Sequence, residues 1–206
     1  MSEVDGPDGG LDPLFELGPE HPRRRLVEAT VRCLEDTSLA ELGLAGVAER
    51  AGMSRATLYR WFPDGRDELL RVALAAEVAE FWRGLAAAVA DETTLVGRVT
   101  RGLMEGVRRT GDHALLQRLV NQEAEDFAPY LDEVDPMVFE LLASYLSDLL
   151  TRFESDVAPE VDRGEAARYL ATMILSYLGS PARIDFGDEA RVDHLVRTQL
   201  LGGILA

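Results

Sequence analysis

Apolar residues recur three and four positions apart through most of this 206-residue chain, and no β-branched run alternates between apolar and polar. That spacing lines one stripe of a helix, whereas a half-buried strand needs a period of two. Met137, Val138, Leu141, Leu142, Tyr145, Leu146, Leu149, Leu150 and Phe153 make the clearest stripe. The chain is therefore expected to be all-α. Turn and cap residues divide it into about nine helices, near 22–36, 44–51, 55–62, 67–90, 94–110, 112–128, 136–153, 162–178 and 188–201. In this reading Gly111-Asp112 breaks one helix, Pro129 closes the next, and Asp135-Pro136 starts another as N-cap and first helical residue. No stretch approaches about 18 consecutive apolar residues, so no membrane span is expected.

Charge is placed unevenly. The net charge is -16, and all 21 basic residues are Arg. Residues 1–21 hold six acids, Glu3, Asp5, Asp8, Asp12, Glu16 and Glu20, and no Arg. Four Gly and four Pro among residues 1–22 mark this stretch as a flexible acidic arm. Residues 22–71 carry nine Arg against eight acids, so this stretch is far less acidic than its surroundings. Overall acidity argues against a general nucleic-acid coat, but only the local field at a docking face decides DNA binding. The start lacks the basic and apolar blocks of a secretory signal, and a lone Cys33 makes no internal disulfide. A cytoplasmic location is the expectation.

The most informative segment is LAGVAERAGMSRATLYRWFP, residues 44–63. Two short helices that cross at a tight turn need a small residue at the crossing, here Ala48. A glycine must follow four residues later to take the left-handed turn, here Gly52. Val47, Ala51, Met53 and Leu58 fill the inner face, and Ser54 stands where the second helix needs its N-cap. This is the helix-turn-helix order, whose second helix is shaped to enter the DNA major groove.

The agreement goes further. RLVEAT at 25–30, VAERAGMS at 47–54, TLYRWFP at 57–63 and DELL at 67–70 together resemble the DNA-binding domain of the tetracycline-repressor (TetR) family. The resemblance implies a three-helix DNA-binding domain over 22–66 and a helical ligand-binding and dimerisation domain over 67–206. It implies that Arg55, Ala56 and Arg60 face base edges, and that Thr57, Tyr59 and Arg66 reach phosphates. Arg offers guanine a two-pronged donor, while phosphate contacts set register. Trp61, counted with Ser54 among the DNA-binding residues, either stacks towards the DNA backbone or packs inside, and the expectation leans to a packed ring with the indole N–H outward. Two departures stand out. Gly43-Leu44-Ala45-Gly46 occupies positions where the family commonly carries Thr and Arg, and the 62–66 loop is one residue longer than usual. The Arg23, Arg24, Arg25 run is the candidate compensation.

The later helices suggest a sensor. Trp82, Met104, Val107, Leu116, Val120, Asn121, Phe127, Tyr145 and Tyr177 are expected to wall a pocket for an apolar or amphipathic effector. Apolar faces at Ala167, Leu170, Ala171, Ile174, Leu178, Leu195, Val196 and Leu200 are expected to pair two copies, as the family's last two helices do. A homodimer matches a double-stranded operator with half-sites about 34–36 Å apart. The resulting expectation is a ligand-responsive repressor, with a small-molecule binding protein that no longer regulates DNA as the alternative. His21, His113 and His194 lack partners at ligand spacing, and no catalytic, cofactor or metal motif stands out. Cys33 lies on the inner stripe of the first helix and reads as a small core residue.

Overall fold

The computed structural model describes residues 17–113, 115, 117, 124–179 and 184–206, with the backbone alone for 124–135. Among these residues it is all-α. Eight α-helices appear: α1 Pro22–Asp36, α2 Leu44–Arg50, α3 Arg55–Trp61, α4 Arg66–Ala88, α5 Leu95–Asp112, α6 Ala124–Arg152, α7 Arg163–Gly179 and α8 Glu189–Leu195. A short π-helical turn, Val196–Leu200, continues α8. No helix among the described residues is long and apolar enough to cross a membrane.

Two expected boundaries are corrected. Gly111 and Asp112 end α5 inside its last turn, and the cap falls on His113. Pro129 and Pro136 lie within α6, so Asp135-Pro136 starts no separate helix. Proline's fixed φ is itself helical, so each forfeits one backbone hydrogen bond without forbidding the helix. The stripe beyond Pro136 then buries Leu142, Leu146, Leu149 and Leu150.

The chain forms two compact units, Met1–Trp82 with Ala114–Val134, and Arg83–His113 with Asp135–Ala206. Divisions fall inside α4 and inside α6, which are covalently common to both. In the first unit α1, α2 and α3 pack around Leu26, Leu34, Val47, Leu58, Phe62, Leu69 and Leu70, all fully buried. Cys33 belongs to this core, and burial pushes its thiol pKa up. It is a packing residue.

In the second unit α5 packs on α7 and α8. Gly106 permits the approach of α7, since a Cβ there would sit 2.9 Å from Leu178 Cδ2. One charged cluster is built into α5. Glu105 accepts from Arg108 Nη2 and Arg109 Nε, both at 2.7 Å. Hydrogen bonding from Arg108, ahead of that from Arg109, holds the Glu105 carboxyl at a pKa of about 2 against an ordinary 4.5. A carboxylate with a depressed folded-state pKa stabilises fully above its unfolded value and stops doing so as pH falls through the folded one. Stability is therefore expected to decline between pH 4.5 and about 2 from this source. Urea unfolding followed across that range should show a shallower decline in Glu105→Gln. An identical slope in both proteins would refute the assignment.

The residues expected to pair two copies are mostly spent inside one chain. Ala167, Leu170, Ala171, Ile174, Leu178, Val196 and Leu200 are buried, and only Leu195 is half-buried. Helical periodicity identifies an apolar face but not whether its partner is the same chain or a second one.

Candidate nucleic-acid interface

The turn between α2 and α3 is built as its residue order demands. Gly52 takes φ +66°, and Met53 N–H reaches back to Ala48 O at 2.8 Å. Ala48, Ala51 and Leu58 are buried at the crossing. Ser54 Oγ accepts the Thr57 N–H at 3.1 Å and caps α3. A non-glycine residue at Gly52 would have to hold a left-handed backbone, and its Cβ would meet Arg25 Nη2 at 3.3 Å.

This scaffold turns one face of α3 outward. Ser54, Arg55, Ala56, Tyr59 and Arg60 are exposed, and Thr57 is half-buried. Tyr59 is one of two large hydrophobic residues exposed among the described residues, at 48%. The Arg60 guanidinium lies 5.9 Å from the Trp61 ring centroid. Thr57 Oγ1 is 2.9 Å from Ser54 Oγ, so its hydroxyl already has a local partner. The residues expected to face bases and phosphates thus share one exposed surface at Arg55, Ala56, Tyr59 and Arg60.

Two expectations change. Arg66 does not extend outward. Its guanidinium donates to the carbonyls of Leu42, at 3.3 Å, and Leu39. It pins the loop between α1 and α2 to the start of α4. Trp61 does pack its ring, edge-on to His21 at 4.8 Å, but its indole N–H is buried and has no hydrogen-bond partner among the described residues. An unpaired buried donor costs about 1–3 kcal/mol.

The Arg23–Arg25 run is structural as well. Arg25 Nη2 donates to Ala51 O at 2.7 Å, closing the end of α2. Arg24 pairs with Glu28 at 2.9 Å and donates to Leu17 O at 3.2 Å. Arg23 sits 5.5 Å over the Phe62 ring, with its Nε buried and without a hydrogen-bond partner among the described residues. His21, which has no role by spacing, caps α1: its Nδ1 accepts the Arg23 N–H at 3.2 Å. Proline at the next position is the local signal for that cap, because it favours the first helical turn. Arg50 also bridges to α1, donating to Arg32 O and pairing with Asp36, both at 2.6 Å.

The start of α2 lacks a side-chain cap, since Gly43 supplies no hydrogen bond there. Its backbone is extended, φ -105° and ψ 133°, and a Cβ there meets nothing within 4 Å. Gly43→Ser should therefore stabilise the protein by about 0.5–1 kcal/mol, through a new cap and a less free unfolded chain. A higher urea midpoint with an unchanged m-value would show it; a lower midpoint would contradict it.

Of the expected effector-pocket residues, Leu116, Val120, Asn121 and the Phe127 side chain lie outside the described residues. Trp82 is half-buried in the first unit, and Met104, Val107, Tyr145 and Tyr177 are half-buried in the second. The Tyr177 ring meets Phe186 at 5.9 Å. A separate open cleft of about 360 Å³ in the second unit is lined by Asp162, Glu165, Tyr169, Gln199 and Ile204, none of them an expected pocket residue.

A tripod of α1–α3 with a capped, outward-facing, Arg-bearing third helix defines a helix-turn-helix DNA-binding transcriptional regulator. Residues 26–73 match the family model described as bacterial regulatory proteins, tetR family. An uncharacterized HTH-type transcriptional regulator of Mycobacterium tuberculosis is 25% identical over 187 residues, covering 91% of this chain and 89% of its own. Among solved structures, a Mesorhizobium loti protein assigned to the TetR family superposes with TM-score 0.70 at 15% identity, over 95% of this chain and 100% of that one. The fatty acid degradation regulator FadR from Bacillus halodurans superposes with TM-score 0.60 at 15% identity, over 87% and 95% of the two chains. Residues 26–73 are thus similar to the tetR family of bacterial regulatory proteins, and the described fold matches TetR-family structures.

Proposed function

We propose that the protein is a repressor that binds a two-fold operator as a homodimer and leaves it when an apolar or amphipathic small molecule binds. The exposed Arg55–Arg60 face of α3 carries this reading. Arg55 and Arg60 read base edges beside Ala56, and Tyr59 meets a phosphate. Among the described residues neither guanidinium is held in an ion pair, so both are available to DNA.

One α3 reads one half-site, so a two-fold operator requires two copies. Their contact runs over residues that α7 and α8 leave exposed, such as Tyr169, rather than over the buried stripe. The effector is held in the second unit by Met104, Val107, Tyr145 and Tyr177, with Tyr hydroxyls to orient it and apolar surface to bury it. It releases DNA only through a preference for one conformer over the other. The fatty acid degradation regulator among the structural neighbours supports a regulator of small-molecule metabolism.

The test is a footprint on the DNA upstream of the protein's own reading frame, with sedimentation alongside. Protection of two half-sites about 34–36 Å apart, by a species of twice the chain mass, is the expected result. A monomer at micromolar concentration, or no protected site, overturns the proposal.

A further inference from the structure

Arg66, the first residue of α4, has every guanidinium nitrogen turned towards the protein. Nε donates to Leu42 O at 3.3 Å, Nη2 donates to Leu39 O, and Nη1 lies 4.0 Å from Asp67 Oδ1. The two carbonyls belong to one compact turn between α1 and α2. Leu42 N–H closes that turn on Leu39 O at 3.3 Å, and Ser38 Oγ donates across it to Glu41 Oε2 at 2.9 Å. The Leu39 and Leu42 side chains are buried in the core. Leu42 stands immediately before Gly43, the N-cap residue of α2, which supplies no side-chain hydrogen bond. The point where α2 begins is therefore held by a cation of α4 and two buried Leu side chains, in place of a side-chain cap.

The same junction reaches α3. Gly65, next to Arg66, takes φ +73°, and a Cβ on it would lie 3.6 Å from Tyr59 Cε1 and 3.8 Å from Leu44 Cδ1. Leu44 opens α2, and Tyr59 stands on the exposed face of α3. The far end of α2 is fastened separately, to α1. Arg25 Nη2 donates to Ala51 O at 2.7 Å, and Arg50 Nη1 donates to Arg32 O at 2.6 Å. Loss of the Arg66 contacts would thus free the start of α2 while its end stays tied.

We propose that Arg66 is a positioning residue for DNA binding: it touches no DNA, and by tying the first turn of α4 to the start of α2 it sets the pose in which α2 and α3 meet the duplex. The inference rests on the DNA-binding reading of α3. A planar guanidinium meets two carbonyls at once through its fork, whereas a lysine ammonium carries the same charge as a compact point donor. Charge and geometry are therefore separable at this position. A phosphate contact needs the charge; the clamp needs the fork.

The test compares the full-length wild type with Arg66→Lys and Arg66→Gln on the duplex upstream of the protein's own reading frame. Affinity is titrated at several salt concentrations, at a temperature where circular dichroism shows all three proteins fully folded. A residue that only stabilised the fold would leave affinity unmoved there. Both variants should bind roughly tenfold more weakly, the factor that losing a hydrogen bond to a charged group carries. The slope of log affinity against log salt should match the wild type, because no phosphate contact is removed. Wild-type binding by Arg66→Lys, or a slope smaller by about one in Arg66→Gln, overturns the proposal. Hydrogen exchange supplies a second measurement. The Val47 N–H, bonded to Gly43 O at 3.2 Å in the first turn of α2, should exchange about tenfold faster in Arg66→Lys, with the Leu58 N–H of α3 unchanged. An unmoved Val47 rate overturns the proposal. Exchange is read without DNA, so its result is independent of any failure to find an operator.

Discussion

Arg60→Ala is expected to weaken binding to the cognate operator by about 1–3 kcal/mol, roughly five- to 150-fold, and to flatten the preference at one base pair of each half-site. The reason is geometric. Arg60 is exposed on the outer face of α3, and among the described residues no ion pair holds its guanidinium back. A guanidinium meets guanine O6 and N7 with two donors at once, so its loss costs most at the base it reads. Tyr59→Phe makes the contrast. In the proposed function its hydroxyl meets a phosphate, so the substitution should weaken all sequences alike. Anisotropy titrations on an operator and its single-base variants separate the two. Equal, sequence-independent losses would remove Arg60 from base reading.

Phe62→Ala is expected to lower the stability of the DNA-binding unit by about 3–5 kcal/mol. Phe62 is fully buried at the end of α3 and is among the largest side chains wholly removed from solvent. Its backbone N–H caps α3 by reaching Leu58 O at 2.8 Å, and its ring carries the Arg23 guanidinium. Truncation therefore leaves a cavity among α1, α3 and α4 and removes the platform under Arg23. Domains typically hold about 5–15 kcal/mol in total, so this loss is a large share. Thermal unfolding by circular dichroism should show the first transition moving well down, with DNA binding lost at temperatures where the wild type still binds. A shift of only a degree or two would mean that Phe62 is not the keystone its burial indicates.

The residue order from Leu44 to Pro63 was enough to specify the turn, the cap and the buried crossing. Each rests on neighbours within a few positions: Gly52 on the turn, Ser54 on Thr57, Ala48 on the contact with Met53. Local steric and hydrogen-bonding rules act over that range, so sequence spacing carries them. The exposed face of α3 followed, because Val47, Ala51 and Leu58 fix which side turns inward.

Other features depended on contacts that spacing does not encode. Arg66 sits at the right place for phosphate, yet its acceptors are Leu39 and Leu42, more than 20 residues back. Arg25 likewise finds Ala51. A guanidinium has five donors on a long flexible stem, and any carbonyl the fold brings within reach competes with DNA for it. The same limit governs the apolar faces of α7 and α8. Their period announced that they must be covered, but burial by α5 of the same chain was decided by how the helices pack. Pro129 and Pro136 read locally as helix boundaries, yet α6 runs through both. Periodicity fixes which face of a helix is apolar; the identity of what covers it, and of what each long cation grips, is settled only when distant segments meet.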